Sequence, residues 1–163
     1  MRITKESEYA LRILVCLART DTLTDAGSIA EETGVPIRFT SKILRKLREA
    51  GLVRASKGAQ GGYRLANPPA DITMLAAIEA IDGPVAISLC LSEDYTCSHH
   101  ADQSACGCFF HGVFDRINES IITALSGTTI AMAIGTATAC TATNCQSHCA
   151  SCDGGACHHK QEG

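Results

Sequence analysis

The stretch Thr33-Gly34-Val35-Pro36, running on into Ile37-Arg38-Phe39-Thr40-Ser41-Lys42-Ile43-Leu44-Arg45-Lys46-Leu47, decides the fold. Gly34 is placed to close one helix in a left-handed cap, and Pro36 is pre-organised as the first residue of the next. Beyond it Ile43, Leu44 and Leu47 recur at helical spacing to about Ala50, and Gly51 supplies the stop. Two helices joined by such a turn are a helix-turn-helix signature. Arg38, Ser41, Lys42 and Arg45 then fall on one polar stripe opposite the apolar face. That composition suits a helix laid in the major groove: a guanidinium that takes guanine bidentately, a hydroxyl for adaptable contacts, and cations for phosphates. Phe39 reads as a packing residue.

Upstream, Thr4 is a plausible N-cap for a helix over roughly 5–19, in which Tyr9, Ile13 and Leu17 repeat every four residues and Cys16 reads as core. Thr24 is expected to open the short second helix. Downstream the period changes. Leu52-Val53-Arg54 and Tyr63-Arg64-Leu65 read as short strands joined by Ser56-Lys57-Gly58-Ala59-Gln60-Gly61-Gly62. A glycine-rich connection with a lysine near its tip is what a winged helix needs to reach a phosphate backbone. Lys57 and Gln60, with Arg54 and Arg64 beside them, are the wing candidates. Asn67-Pro68-Pro69 makes a stiff boundary, and Thr73 caps a helix carrying Met74, Ile78 and Ile81 that Gly83-Pro84 stops. A long helix over roughly 109–125 follows, with Phe110, Val113, Phe114, Ile117, Ile121 and Leu125 as its stripe. Little chain remains to cover that stripe, so pairing with a second copy is the economical solution; an intrachain core helix is the other.

The expected architecture is mainly α with a small β-wing. A winged helix-turn-helix domain occupies 1–83, a cysteine-rich segment 84–108, a dimerisation helix and following segment 109–135, and a flexible Cys/His-rich tail 136–163.

Charge divides along the same line. Residues 1–67 hold twelve of the 14 Lys/Arg and seven of the 17 acids, a formal +5. Residues 68–163 carry a formal −8, all six His and nine of the ten Cys. A basic half suits a polyanion, and an acidic half keeps a metal-bearing segment off it. Hydrophobic residues reach 45%, enough for a core, which excludes a wholly disordered chain. The sequence has no long uncharged apolar run for a membrane span and no apolar leader at Met1–Glu8, so a cytoplasmic protein is expected, with its cysteines used for metal or redox chemistry. A Ser/His/Asp arrangement, paired catalytic carboxylates and a phosphate loop are all absent from the sequence, so it does not support an enzyme.

Cys90, Cys97, Cys106 and Cys108 lie within 19 residues, with His99, His100 and His111 nearby. Thiolates at this density select iron–sulfur clusters, zinc or copper(I). In the tail, Cys140, Cys145, Cys149, Cys152 and Cys157 precede His158 and His159; Cys149-x-x-Cys152 is a metal-clip spacing. A second soft-metal site and a tail of reactive thiols are the two readings there.

Several of these motifs together resemble the Rrf-type family of bacterial winged-helix transcriptional regulators. They are Met1-Arg2-Ile3-Thr4 with Tyr9-Ala10-Leu11, the turn Gly34-Val35-Pro36, Leu47-Arg48-Glu49-Ala50-Gly51-Leu52-Val53 and Lys57-Gly58-Ala59-Gln60-Gly61-Gly62-Tyr63-Arg64-Leu65. The resemblance covers about residues 1–135 and is most specific in the wing. It implies a homodimeric DNA-binding transcription factor, often a repressor, acting on double-stranded promoter DNA. It also implies a sensory loop whose cysteines bind an iron–sulfur cluster responsive to cluster status, nitric oxide or redox state. A 2Fe–2S cluster is favoured over 4Fe–4S. Matching the family pattern after the last ligand to Cys108-Phe109-Phe110-His111-Gly112-Val113-Phe114 gives Cys90, Cys97 and Cys108, with Cys106 as the alternative third ligand. The same resemblance suggests Glu8 of the partner subunit as a fourth ligand, with His111 as its rival. Two other readings stay open: a winged-helix regulator responding to thiol oxidation or zinc without iron, and an electron-transfer protein.

Overall fold

The computed structural model describes residues 3–20, 22–58, 61–92 and 108–136. Three helices form its base: α1 (Lys5–Thr20), α2 (Ala26–Thr33) and α3 (Ile37–Glu49). Two strands, β1 (Val53–Ser56) and β2 (Gly62–Leu65), follow, then α4 (Met74–Asp82), a 3₁₀ turn at Leu89–Leu91, α5 (Phe109–Gly127) and α6 (Ile130–Thr136).

Each boundary has a local cause. The Thr4 hydroxyl accepts the Ser7 N–H at 3.2 Å and starts α1 as expected. The start of α2 differs from expectation. Asp25, not Thr24, is its cap, with a carboxylate that accepts the Gly27 and Ser28 N–H groups at 2.8 and 3.1 Å. Thr24 is instead extended backbone bonded to Tyr63 in both directions, at 3.0 and 2.8 Å, and so ties the second strand to the helical base. Gly34 takes the left-handed conformation at φ 65° and closes α2. Pro36 stands one residue outside α3, because its extended ψ of 134° leaves Ile37 as the first helical residue.

The core lies between α1, α3 and α4. Ile13, Leu14 and Leu17 of α1 meet Ile29, Ile43, Leu44 and Leu47, with Ile72, Ala77 and Ile81 closing the far side. Cys16 belongs to this cluster, as expected. β1 and β2 pair antiparallel, with Val53 opposite Leu65 and Arg54 opposite Arg64. Thr73 caps α4 by accepting the Ala76 N–H at 3.1 Å.

The chain after α5 turns back onto the core. The Met74 N–H bonds the Thr128 carbonyl at 2.8 Å, the Ile130 N–H bonds the Ile72 carbonyl at 2.9 Å, and α6 returns to α1 with Ile130 buried. The segment following the long helix, to which the sequence assigned no element, thus forms α6. The tail from 137 on, with its five cysteines, lies outside the described residues.

Candidate nucleic-acid interface and cysteine-bearing segment

The outward face of α3 carries Arg38, Ser41, Lys42 and Arg45, all exposed, while Thr40, Ile43, Leu44 and Leu47 are buried. Phe39 packs its ring tilted against Tyr9, centroids 6.2 Å apart, and the Lys5 ammonium lies over the Tyr9 ring at 5.6 Å from its centroid. The four polar residues do not stand alike. Lys42 is paired with Glu6 on α1, and Arg45 with Glu49 at 3.2 Å along its own helix. Lys46, one turn on from Lys42, joins the same carboxylate at 3.3 Å and also donates to the Ile81 carbonyl at 3.0 Å. The Lys42 hydrogen bond is the largest cause holding the Glu6 carboxyl below the usual carboxylate range.

The wing is built by close approach. A Cβ on Gly62 would meet the Thr24 backbone at 2.9 Å, and one on Gly61 would meet the Ser56 carbonyl at 2.5 Å, so neither position has room for a side chain. Gly58 turns the tip with φ 120°, next to an exposed Lys57. Gln60 lies outside the described residues. Arg54 and Arg64 are directly opposed across the strand pair and both exposed. Like charges in that register destabilise a hairpin.

The cysteine segment opens and closes in described structure. Cys90 is half-buried in the Leu89–Leu91 turn, its Sγ 3.2 Å from the Ser88 Oγ, and that turn packs on α5. Cys108, also half-buried and a free thiol, occupies the N-cap position of α5, and His111 lies in the first turn beyond it. Cys97 and Cys106 fall outside the described residues, and among those described no three metal-ligating side chains converge. Glu8 is 44% exposed and pairs along α1 with Lys5 at 3.6 Å and with Arg12. Asn118 was not singled out by sequence. It is the one residue of α5 that is buried, where it accepts the Ile87 N–H and donates to the Val85 carbonyl, each at 3.1 Å, and so fixes the start of the cysteine segment to the long helix. A lone polar residue in an apolar stripe is the signal that could have marked it.

The family model for Rrf2, described as an iron-dependent transcriptional regulator, matches residues 3–136. The chain belongs to the Rrf2 family. It is 38% identical over 111 residues to an rrf2-like HTH-type transcriptional regulator of Rhodobacter capsulatus, covering 64% of this chain and 74% of that one. Across the first four curated relatives the match spans 55% to 74% of their length. Among solved structures, CymR of B. subtilis, titled the global cysteine regulator, superposes with a TM-score of 0.64 at 26% identity, over 83% of this chain and 97% of its own. IscR of T. potens gives a TM-score of 0.64 at 26% identity, over 84% and 88%. This Rrf2 chain is therefore a winged-helix, DNA-binding transcriptional regulator, and its relatives are regulators rather than enzymes. No helix among its described residues is long and apolar enough to cross a membrane.

Proposed function

We propose that this Rrf2 protein is a cytoplasmic homodimeric repressor that binds promoter DNA through α3 and the wing, under the control of an iron–sulfur cluster, 2Fe–2S in preference to 4Fe–4S. The observation that carries the DNA surface is the opposed, exposed pair Arg54 and Arg64 on the wing, whose first strand packs on α3. Arg38 and Ser41 read bases, and Lys57, Gln60, Arg54 and Arg64 hold the backbone. The ligands are Cys90, Cys97 and Cys108, with Cys106 as the alternative third and Glu8 of the partner subunit as the fourth. The donor chemistry supports this: free thiols stand at both ends of the segment, on a turn packed against α5 and at that helix's cap. Cys16 is excluded, since burial pushes its thiol up to about 12.

Cluster binding acts only as far as it favours one arrangement of the two heads over another. The route for such a bias exists, because Asn118 and the Leu89–Leu91 turn join the segment to the dimerisation helix. The test is anaerobic purification with absorbance, iron and sulfide analysis, followed by operator binding of holo protein and Cys97→Ala at fixed salt. A brown protein whose affinity changes on loss of Cys97 is expected; equal affinity and equal response would end the sensing claim.

A second reading, control by thiol oxidation or zinc without iron, is favoured by the likeness to CymR, the cysteine regulator, and by the two half-buried free thiols. It predicts a colourless protein whose DNA binding responds to peroxide and dithiothreitol.

A further inference from the structure

The first turn of α1 is fixed from both sides. Its Thr4 and Ser7 hydroxyls donate to the Asp82 carboxylate at 2.8 and 2.7 Å, and Ser7 is fully buried. Asp82 ends α4, and the carbonyl of its neighbour Ile81 accepts from Lys46. Glu6 therefore projects from a position held by α4, and its carboxylate faces two lysines one turn apart on α3. Its own side chain is only 25% exposed and that of Lys46 31%, whereas Lys42 reaches the same carboxylate from the surface, with 54% of its side chain exposed. The site at the N-terminal turn of a helix further favours an acid there.

We propose that Glu6 is a positioning and specificity-determining residue of the DNA surface: it holds Lys42 and Lys46 back, so α3 reads with Arg38 and Ser41. This rests on the reading of α3 as the recognition helix. Two ammonium groups that would grip any phosphate are engaged by one carboxylate, while Arg38 and Ser41, which can distinguish bases, lie outside that ion pair. Sequence-independent affinity falls and discrimination between sites rises, because phosphate contacts carry no sequence information.

The full chain is titrated against a mixed-sequence 30-base-pair duplex, and against one selected from a random pool, over 50–200 mM salt. Each lysine released adds about 0.9 to the slope of log affinity against log salt, or about 3.5-fold to the affinity lost across that range. Glu6→Gln is expected to bind the mixed duplex more tightly with a slope steeper by about one to two, and Glu6→Asp to restore the shallow slope. Lys42→Ala is expected to leave the wild-type slope unchanged but to flatten that of Glu6→Gln by about one. A merely structural role for Glu6 would lower affinity without steepening the slope, which overturns the proposal. So does a wild-type slope that Lys42→Ala flattens by about one, since Lys42 would then leave Glu6 on the duplex; that measurement stands even if Glu6→Gln fails to fold. If Arg38→Ala changes neither selected nor mixed binding, the recognition-helix reading fails, and the proposal with it.

Discussion

Gly62 sits where two backbones touch, and the contact is the reason the wing stays attached to the helical base. A Cβ there would lie 2.9 Å from both the Thr24 carbonyl carbon and oxygen, neither of which is a flexible side-chain end. Gly62→Ala is expected to cost about 1–3 kcal/mol in denaturant unfolding, the range for forcing a methyl group into a filled space. It should also reduce the salt dependence of DNA binding as the wing loosens; unchanged stability would mean that the Thr24–Tyr63 bridge is readily displaced. Cys16 makes a different kind of demand. Burial is the largest cause of its thiol rising from 9.0 to about 12, with Glu32 adding to it. The folded pKa is raised, so the native state favours the neutral thiol. The stability it lends is complete below pH 9 and is lost as pH rises towards 12. The stability of Cys16→Ala should therefore fall less steeply than that of wild type above pH 9. Parallel curves for the two proteins would show that this thiol is not linked to folding.

At the scale of elements, the division of labour between α3 and the wing can be separated by salt. Lys57→Ala is expected to weaken binding to every sequence and to lower the log–log salt slope by about one, whereas Arg38→Ala should cost about 1–3 kcal/mol at one base position and relax preference there. Titrations of the selected and mixed duplexes distinguish the two; a uniform loss from Arg38→Ala would make it a phosphate contact. These elements were legible because their causes are local. Gly34 and Gly51 mark helix ends by left-handed φ of 65° and 74°, and Ile43, Leu44 and Leu47 mark a buried face by spacing alone. The α2 cap was misplaced by one residue because Thr24 and Asp25 are both good caps, and the choice is made by Tyr63, far along the chain. The segment after α5 was given no element of its own for the same reason. Ala131, Ala133 and Gly135 carry no amphipathic signal, and α6 is held by bonds to Pro69 and Ile72. The site was legible as a set of residue types but not as a circuit. Glu6 and Lys42 are 36 positions apart, and no short-range spacing rule joins them.

For the whole molecule, the decisive surface is the outer side of α5. Asn118 is buried on one side of that helix, while Phe110 and Ile117 on another are 67% and 46% exposed, within the apolar stripe that the sequence marked. One chain thus uses part of the stripe to seat α5 on α4 and leaves the rest uncovered. An exposed apolar strip at the site of a long helix is costly in water unless it meets its like, and a two-fold pair of helices presents the same strip from both sides. In the proposed homodimer such pairing would set the distance between the two α3 helices, and half-sites about one helical turn apart would be read only if that distance holds. Ile117→Asp should therefore give a monomer by light scattering, because two carboxylates would face each other in the paired state. Its affinity for a duplex with two half-sites should fall by about 10²–10⁴, the usual gain from linking two binding heads, with little change on a single half-site. Thr123→Asp, on another side of the same helix, should leave both properties intact and so separates pairing from a general loss of α5. A dimer that survives Ile117→Asp moves the interface elsewhere. A monomer that keeps full affinity for the double site would mean that each head binds alone, and a state change in the cysteine segment would then have no separation of heads to act on.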